Sequence, residues 1–398
     1  MALPSDPIVI VGAARTPMGG MLGDFKDVEA THLGATAIKA ALERAKVDGS
    51  DVGEVLMGCC LMAGLKQAPA RQAAHYAGVP WSAGATTLTK MCGSAMKAAM
   101  LGHDNILVGS HDIVVAGGME SMSRAPYLVL RGRTGYRIGH GDQLKDHMFY
   151  DGLEDAYEEG RAMGTFAEDC AEMYQFTRDA QDAYATESVR RAQTASNDGT
   201  FAKEVAPVTI KERKGDRVVD KDQAPFEVNV AKIPTLRPAF RKNGTVTAAT
   251  SSSISDGASA LVLMKRSEAE RRGLTPLAVI HAHATHAQEP NLFTTAPIGA
   301  IRKVLEKAGW TNKDVDLWEI NEAFAVVTMA AMRDIDIPHD KVNVNGGACA
   351  LGHPIGASGA RIIVTLLHAL EKHNLKKGVA GLCIGGGEAT AMAVERLT

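Results

Sequence analysis

One cysteine lies where a nucleophile is easiest to generate. The segment TKMCGSAMKA, residues 89–98, places Cys92 just before small residues that predict a helix. A thiolate forms readily at a helix N-terminus, because unpaired N–H groups and the helix dipole favour negative charge there. A lone cysteine is nevertheless more often a small buried apolar side chain. The role of Cys92 therefore depends on the residues that accompany it.

A histidine in a glycine-rich segment is the first candidate partner. His353 lies within NGGACALGHPIGASGAR, residues 345–361, just before a predicted helix. Glycines let backbone and ligand approach closely, and a histidine at such a turn can deprotonate a nearby thiol. The alternative is a histidine that is merely a satisfied polar residue.

Two further segments carry candidate groups. CIGGGEA, residues 383–389, ends an apolar strand in three glycines, where freed backbone N–H groups can bind an oxyanion. Cys383 is there either a core residue or a second thiol at the same cleft. Asn321 opens NEAFA and either caps the following helix or holds a water or a carbonyl.

Three histidines raise the question of a metal site. His281, His283 and His286 occur in IHAHATHAQ, and alternation puts the first two on one strand face. No carboxylate or cysteine stands at a convincing ligand spacing, so we expect no metal. No G-x-G-x-x-G follows the first predicted strand, which disfavours a nicotinamide enzyme.

Composition excludes several classes of protein. The 398 residues are 45% hydrophobic and 22% charged, with a net charge of −3, so neither nucleic-acid nor membrane-surface binding is expected. No apolar run reaches the roughly 18 residues of a membrane span, and the start resembles no signal peptide. The six cysteines form no CxxC pair, which favours reduced thiols. We expect a soluble, cytoplasmic protein.

Strand and helix patterns alternate in two sections of the chain, which predicts an α/β fold. Strands are predicted at 8–12, 54–59, 112–120, 246–264, 278–284, 315–320, 342–344 and 378–384. Helices are predicted at 30–47, 70–77, 94–109, 177–193, 298–308, 322–332 and 357–371, with Thr177 as a cap, and a hairpin at 203–220.

The two sections also repeat a local pattern. KMCGSAMKAA leads through a helix to VVAGGME, and ALGHPIGASGARI leads through a helix to GLCIGGGEA. A duplicated unit with facing copies is therefore plausible. We predict a first half at 1–123 plus 253–274, an inserted loop domain at 124–252 that includes the basic, Gly-rich stretch 131–147, and a second half at 275–398.

Taken together, these segments resemble the thiolase family, of the acetyl-CoA acetyltransferase type. The likeness rests on the Cys92 stretch with GGMESMS, on NEAFA, on GGACALGHPIGASGAR and on CIGGGEA, in that order; PARQAA at 69–74 and QDAYA at 181–185 also match. The resemblance implies a thiolase-like α/β fold of two similar five-stranded halves with an inserted loop domain.

It also implies a reversible Claisen condensation of two acetyl-CoA to acetoacetyl-CoA and CoA. Cys92 would be the acetylated nucleophile and His353 its base. Cys383 would remove the α-proton of the second acetyl-CoA. Asn321 would hold a water that, with His353, stabilises the enolate, and the N–H groups of Cys92 and Gly385 would bind the acetyl oxygen.

Further expectations follow from the same resemblance. Ser252 and Met163 match positions that contact pantetheine, and Phe324 matches one that lines the acyl pocket. Coenzyme A would be substrate and product, with no other cofactor. The stretch 131–147 resembles a segment that joins dimers, which predicts a homotetramer; otherwise it is a solvated charged loop.

Departures from the family pattern leave substrate alternatives open. AMG, beginning at Ala162, stands where acetoacetyl-specific members commonly have HMG, which leaves a broader-chain 3-ketoacyl-CoA thiolase possible. The segment 222–226 lacks the usual acid-acid-x-x-Arg pattern, so no basic nucleotide contact is predicted there. A ketoacyl synthase is disfavoured by Cys383, and a non-enzymatic acyl carrier by the complete set of reactive residues.

Overall fold

A mixed sheet of ten strands, counted over residues 3–139 and 144–397 that this computed structural model describes, forms the frame of the protein. The strands of the described chain, including two short hairpins, are β1 (Ile8–Arg15), β2 (Gly19–Gly20), β3 (Glu54–Gly58), β4 (Gly84–Leu88), β5 (Ile113–Ser121), β6 (Tyr127–Leu128), β7 (Lys145–Asp146), β8 (Val208–Ile210), β9 (Arg217–Val219), β10 (Ser255–Lys265), β11 (Ala278–Ala287), β12 (Leu317–Ile320), β13 (Lys377–Ile384) and β14 (Glu388–Arg396).

Helices cover this sheet on both faces. They are α1 (Ala30–Ala45), α2 (Pro69–Tyr76), α3 (Ser94–Leu107), α4 (His147–Gly152), α5 (Met163–Tyr174), α6 (Arg178–Asn197), α7 (Ala224–Glu227), α8 (Arg266–Arg271), α9 (Ala296–Ala308), α10 (Ala325–Ile335), α11 (Ala348–Leu351) and α12 (Ser358–Lys372). The side chain of Thr177 accepts from the backbone N–H of Ala180 at 3.2 Å, so the predicted cap of α6 is confirmed.

The strand order shows two similar halves joined edge to edge. The first runs β4-β3-β5-β10-β1 and the second β12-β13-β14-β11, with β1 and β11 paired antiparallel between them. In the first half β4, β3 and β5 are parallel, and β10 runs antiparallel to β5. In the second half β12 and β13 are parallel, and β14 runs antiparallel to β13. The thiolase-like α/β fold class is confirmed. The predicted strand 342–344 is reduced to a single bridge from Val342 to Trp318, at the place that β4 holds in the first half.

The two long helices α3 and α12 lie between the two halves of the sheet. Met96 and Met100 of α3 pack with Ile363 of α12, with Leu263 of β10 and with Leu382 of β13 in one buried cluster. The outer faces are covered by α1 on the first half and by α9 and α10 on the second. Strands buried on both faces explain the continuous apolar runs in the sequence.

The predicted strand at 246–264 is wrong in its first part. Strand β10 begins only at Ser255. Upstream, Thr250 Oγ1 accepts from the N–H of Thr247 at 2.8 Å, and Ser251 Oγ donates to the carbonyl of Thr247 at 2.7 Å. Such local side-chain hydrogen bonds compete with a strand ladder, and they turn this segment toward the site described below.

Between β5 and β10 the chain carries helices α4–α7 and both short hairpins, including the one predicted at 203–220. The basic stretch 131–147 lies partly outside the described residues. The domain boundaries at 124, 253 and 275 stay a prediction.

None of the helices in the described chain combines the length and the apolar character needed to cross a membrane.

Candidate active site

Cys92 lies in a tight turn between the edge strand β4 and helix α3. Met91, the residue before it, has φ 45°, a left-handed conformation that few non-glycine residues adopt. Ser94 holds the turn: its hydroxyl accepts from the N–H of Lys90 at 2.7 Å and donates to the carbonyl of Met91 at 2.6 Å. Cys92 thus precedes Gly93, the N-cap residue of α3, as the sequence predicted.

The sulfur of Cys92 faces two backbone donors, one of which comes from the other half of the protein. Burial raises the pKa of the Cys92 thiol to about 11, although hydrogen bonds from the backbone of Gly385 and of Cys92 itself lower it. These two N–H groups would favour a negative charge at this point. The same donors were predicted to bind the acetyl oxygen.

A close contact at Gly93 brings the second cysteine to the same place. A Cβ at Gly93 would lie only 2.3 Å from Cδ1 of Ile384, so glycine lets the two segments approach this far with the Ile384 side chain in its present rotamer. Cys383, next to Ile384, is fully buried near the end of β13. Burial, followed by the nearby Cys92 group, raises the pKa of the Cys383 thiol well above its ordinary value.

His353 is held in one tautomer. Its Nδ1 lies 2.5 Å from Oγ of Ser358, and that hydroxyl donates to the carbonyl of Pro354 at 2.9 Å. Because the hydroxyl hydrogen is used, we assign the proton of the imidazole to Nδ1. The Nε2 atom therefore carries a lone pair that can accept a proton.

The environment also keeps His353 neutral. Burial, followed by the charge of Arg361, lowers the pKa of His353 to about 3. A neutral imidazole can accept a proton from a thiol, whereas an imidazolium cannot.

Asn321 shares this site rather than capping a helix. Helix α10 begins at Ala325 with Phe324 at its N-cap, so the predicted helix start at 322 and the capping alternative for Asn321 are wrong. The parallel register of β12 and β13 places Asn321 beside β13, the strand that carries Cys383 near its end, and the N–H of Asn321 donates to the carbonyl of Gly381. Its Nδ2 lies 3.5 Å from Nε2 of His353.

The predicted substrate-binding residues lie on adjoining segments. Ser252 donates its N–H to the carbonyl of Ala323 at 2.9 Å, next to the bridge between Ser251 and Phe324. Met163 begins α5, and its sulfur lies 3.8 Å from the position that a Cβ would take on Gly385.

Two buried carboxylates that sequence reasoning left without a role organise these loops. Glu120 accepts from the N–H groups of Cys60 and Gly356 at 2.9 Å each and of Leu61 at 3.0 Å. Glu322 accepts from Tyr184, Ser188, Asn343 and Cys349. In the sequence, each of these glutamates stands inside one of the motifs singled out above: Glu120 in GGMES and Glu322 in NEAFA. Glu120 thereby ties the segment that follows β3 to the segment that carries His353.

The histidine triplet does not converge on one point. His281 Nε2 lies 2.6 Å from Glu395, His286 Nε2 lies 3.0 Å from Gln288, and His283 Nε2 lies 2.9 Å from Asp104. Each histidine of the triplet thus has its own polar partner.

Two family models cover almost the whole chain. The model for the N-terminal domain of thiolase matches residues 8–267, and the model for the C-terminal domain of thiolase matches residues 274–396.

Proteins of known name are similar along their full length. Acetyl-CoA acetyltransferase 2 of Arabidopsis thaliana is 51% identical over 98% of this chain and 97% of its own length. Acetyl-CoA acetyltransferase of Cupriavidus necator is 48% identical over 98% and 99%. The solved structure of acetyl-CoA acetyltransferase from Syntrophomonas wolfei is 40% identical, covers 98% of this chain and 100% of its own, and superposes with a TM-score of 0.95. This chain belongs to the thiolase family.

Proposed function

We propose that the protein is an acetyl-CoA C-acetyltransferase, which condenses two acetyl-CoA to acetoacetyl-CoA and CoA and also runs in reverse. The observation that carries this proposal is the meeting of Cys92, Cys383 and the backbone of Gly385, with a neutral His353 that contacts Asn321 next to the strand of Cys383. The similarity to several proteins named acetyl-CoA acetyltransferase supports it, and the broader-chain alternative is not favoured.

In the first half-reaction, the sulfur of Cys92 attacks the carbonyl carbon of acetyl-CoA. The thiol proton passes to Nε2 of His353, the bond from the carbonyl carbon to the sulfur of CoA breaks, and CoA leaves with a proton. An acetyl thioester on Cys92 remains. The tautomer set by Ser358 supports this role, because it leaves the lone pair of His353 on Nε2.

In the second half-reaction, Cys383 passes its thiol proton to Nε2 of His353 and, as a thiolate, takes the α-proton of another acetyl-CoA. The resulting carbanion attacks the acetyl carbonyl on Cys92, a carbon–carbon bond forms, and the bond to the Cys92 sulfur breaks. Cys92 leaves as a thiolate and takes up the proton held on Nε2 of His353, so both thiols and the neutral imidazole are restored. Backbone donors at the developing oxyanion are each worth about 10²–10³ in rate, which is the role proposed for the N–H groups of Cys92 and Gly385.

Asn321 is proposed to hold a water that, together with His353, stabilises the enolate of the second acetyl-CoA. Its Oδ1 is buried and accepts no hydrogen bond from the described residues, whereas its Nδ2 is directed toward His353. A buried amide oxygen without a protein partner supports a role in holding a small polar molecule.

The assignment of the two thiols can be tested by separating the half-reactions. Cys92→Ser is expected to abolish labelling by radioactive acetyl-CoA, whereas Cys383→Ser still becomes acetylated but does not exchange the α-proton. Cys349→Ser, which alters a buried thiol of a different cluster and can still donate to the carbonyl of Glu322, is the control and should keep both steps. Normal labelling of Cys92→Ser would contradict the proposal.

Substrate length needs its own measurement. Ala162 replaces the histidine that is common in acetoacetyl-specific members. A thiolysis assay with 3-ketoacyl-CoA substrates of increasing length should give the highest kcat/KM with acetoacetyl-CoA. A clear preference for medium-chain substrates would instead favour the broader-chain thiolase.

The remaining expectations are proposals about context. Acyl-CoA and CoA are the partners that the family implies, without a further cofactor. All six cysteines, each within the described residues, are unpaired, which supports a reducing compartment such as the cytoplasm.

A homotetramer stays a prediction. Deletion of residues 131–147 should give dimers by light scattering, and a deleted protein that remains tetrameric would contradict the prediction.

A further inference from the structure

Two histidines and an aspartate meet between the two halves of the protein, and the proposed reaction does not use them. His103 and Asp104 lie near the end of α3, and His283 lies on β11. Asp104 Oδ1 is 2.9 Å from both His103 Nδ1 and His283 Nε2, and the two ring nitrogens are 3.3 Å apart. Their rings stand nearly perpendicular, at 84°.

The spacing of these three atoms suits a small transition-metal ion. Nitrogen ligands at about 2.0–2.1 Å from zinc in a tetrahedral arrangement lie roughly 3.3–3.4 Å apart, which is the separation of the two imidazole nitrogens here. The carboxylate oxygen would have to move outward by only a few tenths of an ångström. Calcium and magnesium prefer sites made of oxygen ligands, so two imidazoles in three ligands disfavour them.

Access and packing also fit an ion. The two histidine side chains are largely buried, with 13% and 15% exposed, and so have restricted rotamers, whereas Asp104 is 49% exposed. Solvent can therefore reach the carboxylate side. The ammonium of Lys307 lies 3.1 Å from the backbone carbonyl oxygen of His283, where it is engaged with the main chain.

We propose that His103, Asp104 and His283 bind one zinc ion, with water completing its coordination. The ion would link α3 of the first half to β11 of the second and so cross-link the two halves. Without the ion, each imidazole can donate a hydrogen bond to Oδ1 of Asp104. A zinc titration distinguishes a metal site from this hydrogen-bonded cluster.

The test uses the full-length protein, stripped with EDTA and titrated with Zn²⁺ in a calorimeter. One zinc per chain is expected at this site. His283→Gln should weaken binding at least about tenfold, since loss of even an outer-shell partner of a metal ligand costs that much. His281→Gln is the matched control: it removes a histidine two residues away that pairs with Glu395, and binding should be unchanged.

The active-site thiols could also take up zinc, so a second probe is needed. Co²⁺ bound at the proposed site should show weak visible bands without the intense sulfur-to-cobalt charge transfer of a thiolate site. In addition, zinc should raise the Tm of the unchanged protein and of His281→Gln, but not of His283→Gln or Asp104→Asn.

Equal zinc affinity in Asp104→Asn, His283→Gln and the unchanged protein would overturn the proposal, as would a cobalt spectrum that shows only thiolate ligation. His283 lies outside the proposed catalytic residues, so metal-free His283→Gln should retain thiolysis activity. Failure of the metal site would thus leave the proposed function unaffected.

Discussion

The Nδ1 atom of His353 lies 2.5 Å from the hydroxyl oxygen of Ser358, five residues further along the chain. We assign the hydroxyl hydrogen to the carbonyl of Pro354, which lies 2.9 Å away, so the serine accepts from the imidazole. A single side chain thereby selects the tautomer of the proposed base.

Ser358→Ala should lower kcat about 10- to 100-fold while KM changes little. The imidazole loses the acceptor that keeps its proton on Nδ1, and general-base catalysis of this kind contributes about 10²–10⁴ in rate. Steady-state kinetics of thiolysis measure the effect. Ser259→Ala is the control. The Ser259 hydroxyl donates to the carbonyl of Ala357 at 2.7 Å, so this variant also removes a buried hydroxyl near the start of α12 but leaves His353 with its acceptor. An equal loss of kcat in both variants would point to packing rather than to the tautomer.

Gly93→Ala should abolish most activity by separating Cys92 from Gly385. The new methyl group would meet Cδ1 of Ile384 at 2.3 Å and Cγ1 at 2.9 Å, so the Ile384 side chain or one of the two segments must move. Ile384→Val removes that Cδ1 atom, so the double variant Gly93→Ala with Ile384→Val should recover part of the acetylation rate. Absence of any recovery, with both proteins folded by circular dichroism, would argue against this contact as the cause.

Glu120→Gln should destabilise the protein by about 2–3 kcal/mol, measured by urea unfolding. Three backbone N–H groups share the two carboxylate oxygens of Glu120, and an amide nitrogen in place of one oxygen leaves a buried donor facing another donor. Glu43→Gln changes an exposed carboxylate of the same half, 3.9 Å from the ammonium of Lys39 on α1, and should cost under about 0.5 kcal/mol. Similar costs for both variants would be inconsistent with the role given to Glu120.

The neutral His353 should make stability depend on pH on the acid side. Burial lowers the pKa of His353 to about 3, whereas the unfolded chain titrates near its ordinary value of about 6.5. Between those values the unfolded state binds the extra proton, so the free energy of unfolding falls as pH drops from about 6.5 toward 3.

His353→Asn removes this contribution and isolates it from the other histidines. Below pH 6, its free energy of unfolding should change less steeply with pH than that of the unchanged protein, by up to about 1.4 kcal/mol per pH unit. Urea unfolding at pH 7 and pH 5 measures the difference. Parallel pH dependences for both proteins would show that His353 is already charged in the folded state.

Much of the frame was predictable because its signals are local. The central helix after Cys92 and the strand that follows it can be read from periodicity over a few residues, and both lie within a few residues of their predicted bounds. The polar segment before β10 was wrongly predicted as strand. The hydroxyls of Thr250 and Ser251 hydrogen-bond the backbone of Thr247, and these local bonds compete with pairing to a neighbouring strand. The predicted strand at 342–344 forms only the bridge from Val342 to Trp318, although the second half otherwise repeats the strand order of the first.

The residue types, their order and the duplicated pattern are properties of the sequence by itself. They were sufficient to predict the α/β fold and to single out Cys92, His353, Cys383 and Asn321, because each lies at a helix start, a strand end or a glycine-rich turn. Only the tertiary structure decided which groups meet: Ser358 with His353, Gly93 with Ile384, and Asp104 with His283 across 179 residues of chain. It also decided the protonation states, since the burial that lowers the pKa of His353 and raises the pKa of both thiols exists only after the two halves have packed together.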